Sequence, residues 1–340
     1  MKTIISFAVA LKTLVAVAND SMWFTSGNQL VPMQATDISV AKEILTITLP
    51  ENCDDKNISH RVLVDVYYEF YNAGAAQVVT VGFEADHPYM EEEPAQDHRH
   101  PNIYDFTVEM NGQNYVYHNK LSKYSESYDS GGAHTYVYYF TANFKPGKNI
   151  IKHSYKYASS GGVGHNYWVN YKLTPAARWS GNTIADFTLR VKAQSVRHFF
   201  LDTPPFVTGK CTITGTGKSR VLKKKEDGKT SFIKEVFLRN GVAEWHIADF
   251  NPKSELFLSS ADAMQWTELY DGKEQLLGRK YLSPELIFFD DYYFKDEKDP
   301  ELIKRIVRNL PYAGQGHVFK TPALKKYFES LWWYIPETKK

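Results

Sequence analysis

The chain has 340 residues with 40 Lys and Arg against 39 Asp and Glu, a formal charge of +1. That balance excludes the basic footprint of a nucleic-acid-binding surface, and 43% hydrophobic content with 15% aromatic residues excludes a disordered chain. At about 150 residues per domain the length accommodates two or three domains, and 23 Tyr and 20 Phe beside 6 Met lean the composition towards β-structure.

Residues 1–18, MKTIISFAVALKTLVAVA, read as an export signal. Lys2 gives a positive start, Ile4 to Leu11 an apolar run, and Ala16-Val17-Ala18 a small-x-small cut site before Asn19. The run is too short to span a bilayer, and Lys12 interrupts it. No later segment carries 18 consecutive apolar residues, so no integral membrane segment is expected after cleavage and the protein is expected in the periplasm or secreted. There Cys53 and Cys211 are a possible disulfide, and closing so long a loop would stabilise the fold by about 4–5 kcal/mol; the sequence leaves open whether they meet.

From about residue 36 to 260 the pattern has period two. Val62, Val64, Val66, Tyr68 and Phe70 alternate with Asp65, Tyr67 and Glu69, and Phe187, Leu189 and Val191 alternate with Thr188, Arg190 and Lys192, as half-buried strands do. Further strands are predicted at 36–49, 76–84, 134–144, 149–158, 165–173, 206–214 and 254–259. Asn111-Gly112 and Asn240-Gly241 each stand between alternating runs and read as tight hairpins. The predicted fold is mainly β: an antiparallel β-sandwich region over 19–265, either one sandwich or two stacked modules with a break near 175–185. The charged loops 86–101 and 119–133 are where a binding surface on such a scaffold would sit.

After about 265 the pattern changes to helical. Asp299-Pro300-Glu301 is a helix start, followed by a stripe of Leu302, Ile303, Ile306, Val307 and Leu310, with Pro311 predicted to stop or kink it. Thr321-Pro322 predicts a second helix, with Leu324, Tyr327, Phe328 and Leu331 as its stripe. These elements make a small helical domain over 280–340.

Within it, Tyr312, Ala313, Gly316, Phe319, Leu324, Tyr327, Phe328, Trp333, Tyr334 and Pro336 stand where a YARHG domain has its pattern, and this C-terminal module resembles that family. Gly314 and Gln315 replace the Arg and His of the signature, and His317 replaces an aromatic Tyr. The resemblance implies an exported bacterial protein and carries no established activity. The segments around Gly27–Pro32, Asp37–Glu43, Tyr68–Asn72 and Val81–Glu84 are similar to exported β-rich bacterial proteins of unknown function. Tyr312, His317, Trp332, Trp333 and Tyr334 are the candidate binding residues; the alternative is that the rings form a small core, with Gly316 supplying a positive φ just past a helix end.

Catalytic grammar is sparse. Thr214-Gly-Thr-Gly-Lys-Ser219 falls short of a phosphate loop, because Thr212 stands where Gly is required and a charged hairpin, Arg220–Lys229, follows instead of a helix. His87, His98 and His100, with nearby carboxylates, are metal-ligand types without a known spacing, and Arg99 among them would repel a cation. Neither Cys has the surroundings of a nucleophile, and there is no Gly-x-Ser-x-Gly elbow. The rings of Tyr136, Tyr138 and Phe140 and of Tyr167, Trp168 and Tyr171 would either stack on a ligand or pack across a sheet. The leading expectation is a non-catalytic, cofactor-free envelope protein that binds a cell-envelope glycan or a protein partner; the other is a hydrolase with a metal-assisted site on the 86–101 loop.

Overall fold

A computed structural model describes residues 31–33, 36–50, 61–86, 96–122, 135–162, 165–226, 228–261, 268–270, 282–286 and 298–337. The export signal, Cys53, His87 and parts of both charged loops lie outside these residues. The strands are β1 (Val31–Pro32), β2 (Ser39–Leu49), β3 (Val62–Asn72), β4 (Gln77–Asp86), β5 (Ile103–Met110), β6 (Gln113–Asn114), β7 (His118–Leu121), β8 (Thr135–Phe144) and β9 (Gly147–Tyr157). They continue as β10 (Ser160–Gly162), β11 (His165–Tyr171), β12 (Ser180–Ala193), β13 (Arg197–Leu201), β14 (Thr212–Glu226), β15 (Lys229–Phe250), β16 (Leu256–Ser260) and β17 (Glu268–Tyr270). Three α-helices join them: α1 (Pro204–Thr208), α2 (Pro300–Gly314) and α3 (Pro322–Ser330).

The alternation seen in the sequence is realised in β3, where Val62, Val64, Val66, Tyr68 and Phe70 are all buried. The larger sheet runs β10-β11-β16-β13-β15-β12-β2-β3-β9-β5-β6, with β14 on β15 and β17 on β14. A four-stranded sheet, β1-β4-β8-β7, covers its N-terminal half. Rings interlock between the two layers: Phe83 against Tyr155 at 4.9 Å, Phe70 against Phe144 at 5.6 Å and Phe106 against Tyr138 at 4.9 Å between centroids. Tyr136, Tyr138, Phe140, Tyr167, Trp168 and Tyr171 are therefore core rings, buried to within 6% of full occlusion. Burying one such ring removes about 150–250 Å² from water, so packing accounts for them without a ligand.

Not every pairing is antiparallel. A 3₁₀ turn at Thr174–Arg178 leads into β12, which lies parallel to β2 with Leu189 opposite Leu45, and antiparallel to β15 with Leu189 opposite Trp245. The strands before and after this turn, β11 and β12, belong to the same sheet. Asn240-Gly241 does not turn the chain: β15 runs straight through it, with Gly241 opposite Gly215 of β14. Both glycines have positive φ, and a Cβ on Gly241 would sit 2.0 Å from the Thr214 carbonyl oxygen, so the close approach of two backbones explains the residue choice. The hairpin of this pair turns at Glu226–Lys229, in the charged segment. Asn111 and Gly112 do form a tight turn, both at positive φ. The predicted strand 206–214 is split between α1 and the start of β14.

In the C-terminal part Asp299 caps α2, its carboxylate accepting from the Leu302 N–H at 2.9 Å. The helix continues through Pro311 to Gly314. Thr321 precedes α3 in an extended conformation without a side-chain cap. Ile306, Leu310, Phe319, Leu324, Phe328 and Trp333 bury against Leu222, Ile233 and Phe237 of the β14–β15 hairpin, forming a second core. No described helix is long and apolar enough to cross a membrane.

Candidate functional site

The candidate residues of the C-terminal module separate into cap, core and clamp. After α2 the His317 N–H donates to the Tyr312 carbonyl and the Gly316 N–H to the Ala313 carbonyl, both at 2.9 Å. This paired pattern is a Schellman motif, and Gly316 supplies its left-handed residue at φ +85°. Tyr312 and His317 are exposed and meet ring to ring across the cap at 6.4 Å. Trp333 and Tyr334 are buried; the Trp333 indole donates to the Leu282 carbonyl at 2.9 Å. Trp332 is half-buried beneath the Arg220 guanidinium, 4.6 Å from its ring centre. The five residues therefore form no common surface, and the rings read mainly as core and docking groups.

What holds the module to the sheet had no local signature. Arg239 of β15 donates to the carbonyls of Gly314 and Ile335 and pairs with Glu337 at 3.0 Å. A Cβ on Gly316 would lie 2.3 Å from the Arg239 guanidinium. Gly316→Ala should accordingly cost about 1–3 kcal/mol, combining left-handed strain with displacement of the clamp; an unchanged urea midpoint would refute this. Lys218, the lysine of the apparent phosphate loop, lies mid-strand and donates to the carbonyls of Trp332 and Tyr334 at 3.0 and 3.3 Å. Beneath it, Glu235 is fully occluded between His198 Nε2 at 2.8 Å and Arg220 Nε at 2.5 Å. Burial would raise its pKa, but the hydrogen bonds and charges of His198 and Arg220 hold it below the usual carboxylate range. Glu285 continues the network, accepting from Arg197 at 2.9 Å and from the His198 backbone N–H.

Of the loop histidines, His98 and His100 are described, and they differ in setting. His98 is exposed, whereas His100 is buried with both ring nitrogens engaged. Its Nδ1 accepts from the Asn102 N–H at 3.1 Å, so Nε2 carries the proton and donates to the Asp86 carbonyl at 3.0 Å. Among the described residues no group of three His, Cys, Asp or Glu side chains is placed to hold a metal. Cys211 is partly buried and bonded to no cysteine among the described residues, and burial raises its thiol pKa.

A concave feature lies elsewhere, on the outward face of β12-β2-β3-β9-β5, with a depression of about 500 Å³. Two cross-strand rows line it. One runs Arg190, Thr46, Asp65, Ser154, Thr107, and the other Ile44, Tyr67, Lys152, Glu109, each residue in register with the next. Its floor is the backbone of Val66, His153 and Val108, whose side chains point into the core. Lys152 pairs with Glu109 at 3.0 Å, Arg190 with Glu244 at 2.6 Å, and the Thr107 and Ser154 hydroxyls bond at 2.8 Å. The Tyr67 phenol donates to Glu69 at 2.7 Å, and its pKa is pushed up to about 12 by burial and by that carboxylate. In the sequence these positions are only the polar half of an alternating pattern, which a solvated face shares.

Residues 280–340 match the YARHG domain family. No curated protein matches the chain. Over 95% of its length the chain superposes on 94% of a crystal structure from Legionella pneumophila, described as a "putative nutrient binding protein", with a TM-score of 0.57 and 18% identity. That likeness is one of fold.

Proposed function

We propose that the protein is an exported bacterial envelope protein that binds a small polar ligand, without catalysis, in the depression on the larger sheet. The reading takes residues 1–18 as a leader, 19–265 as the β-region that carries the site and 280–340 as a helical domain docked beside it. The observation that carries it is a concavity of ligand size, lined by hydroxyls and charges on paired strands rather than on loops. The fold shared with a protein described as nutrient-binding and the YARHG domain both support it. Titration calorimetry of the purified protein against envelope glycans, amino sugars, amino acids and short peptides should yield at least one saturable ligand. Ser154→Trp, which fills the depression, should abolish that binding while leaving the melting curve intact. Binding untouched by Ser154→Trp, or no binding across the panel, would defeat the proposal. Recovery of the protein from the periplasmic or secreted fraction with Asn19 as its first residue tests the export.

A further inference from the structure

We infer that the ligand of this depression carries an ammonium group that seats on Asp65, within a hydroxyl-rich body of the amino-sugar class; the inference rests on the ligand-binding reading above. The charges around the depression are not equivalent. Glu109 is neutralised by Lys152, and Glu244 at its rim by Arg190. The Asp65 side chain, unlike that of Glu109, makes no hydrogen bond and no close ion pair with any described residue, and the charge acting on it is that of Lys192. It stands on the central strand of the row, flanked in register by Thr46 on β2 and Ser154 on β9, with Thr107 one strand further.

Neighbouring strands lie about 4.7–4.9 Å apart. The row therefore offers a hydroxyl, a carboxylate and a mutually bonded pair of hydroxyls across four strands, a set of polar groups that suits the substituents of a sugar or a short oligosaccharide. A carboxylate only accepts hydrogen bonds, and an ionised one makes its strongest bonds to a cationic donor. The flanking hydroxyls both donate and accept, which suits alcohols. An anionic ligand would have to displace Glu109 or Glu244 to reach the lining cations Lys152 and Arg190, and would meet Asp65, whose charge Lys192 offsets only in part.

The cations around Asp65 are Lys152 on the adjoining strand β9 and Arg190 and Lys192 on β12, which lies beyond β2. Desolvation by the surrounding protein raises the Asp65 pKa and outweighs the downward pull of Lys192, although the side chain stays exposed. Asp65 is thus a carboxylate that the protein leaves under-compensated, and a bound ammonium would complete it.

The test compares a glucosamine disaccharide with free amines to its N-acetylated counterpart, by calorimetry on the whole protein at neutral pH. The amine form should bind about tenfold tighter or better, the worth of one charge-assisted hydrogen bond, and Asp65→Asn should erase that preference. Asp65 is exposed, so the variant should melt as the parent does. Equal affinity for the two sugars, or a preference that survives Asp65→Asn, overturns the inference. If neither sugar binds but another small molecule does, and Ser154→Trp blocks it, the amine anchor is refuted while the binding function stands.

Discussion

Glu235→Gln should destabilise the protein by about 3–5 kcal/mol, the cost of removing one member of a buried charge pair. The substitution keeps the shape but removes the charge that faces Arg220 and turns one of the two acceptor oxygens, which serve His198 Nε2 and Arg220 Nε, into a donor. Both partners stay in place, one of them fully occluded and the other four-fifths covered. Urea unfolding followed by tryptophan fluorescence should show the loss, since Trp333 packs 6.3 Å from the His198 ring. Glu337→Gln is the matched control. It also breaks an ion pair to an arginine, but Glu337 is 67% exposed, and exposed pairs contribute about 0–1 kcal/mol. If the two variants shift the midpoint equally, Glu235 is not the buried anchor of the junction.

Acid should weaken the fold through a buried imidazole. His153 of β9 lies inside the sandwich, boxed by the rings of Tyr68, Phe83, Phe106 and Tyr155 at 5.8–6.0 Å, and neither ring nitrogen has a hydrogen-bond partner. Burial lowers its pKa from 6.5 to about 3. Below pH 6.5 the unfolded chain takes up a proton on this ring, while the native state refuses it until about pH 3. The unfolded state therefore binds more protons in that window. The native state loses stability as pH falls through it, by a total of about 5 kcal/mol. Above pH 6.5 this group adds no pH dependence. His153→Phe should remove the term and, because it replaces two unsatisfied polar atoms with carbon, should stabilise the protein at pH 7 by about 1–3 kcal/mol. The measurement is unfolding free energy from pH 7 to pH 3.5 for both proteins. Parallel curves would show that His153 is not the acid-sensitive group.

Much of the architecture is written locally. The alternation in β3 and in the Phe187–Val191 part of β12, the Asp299 cap and the left-handed Gly316 each depend on a few adjacent residues, and each is realised. What is not local was not legible. A period-two pattern carries no strand direction, so the parallel pairing of β12 with β2 leaves no mark in either segment. Asn240-Gly241 has the composition of a turn, yet the glycine it faces, Gly215, is 26 residues away and makes a continuous strand feasible. Arg239 and Lys218 look like ordinary strand residues until the tail they hold is in place. The same applies to the depression. Thr46, Asp65, Ser154 and Arg190 come from four strands spread over some 145 residues, and only the sheet register sets them side by side. His100 shows the converse: a residue type suggestive of metal binding is used for hydrogen bonding to the backbone.

The parallel contact between β2 and β12 also dictates an order of events. Among the described residues, one long edge of β2 has only β12 beside it, and the far edge of β12 is covered in turn by β15, which ends at Phe250. A chain delivered N-terminus first therefore emerges with a half-built sandwich whose bare strand is open to mispairing. Closure waits for sequence some 140 residues downstream, the kind of long-range contact that slows folding. The first half of this protein is completed only by its second.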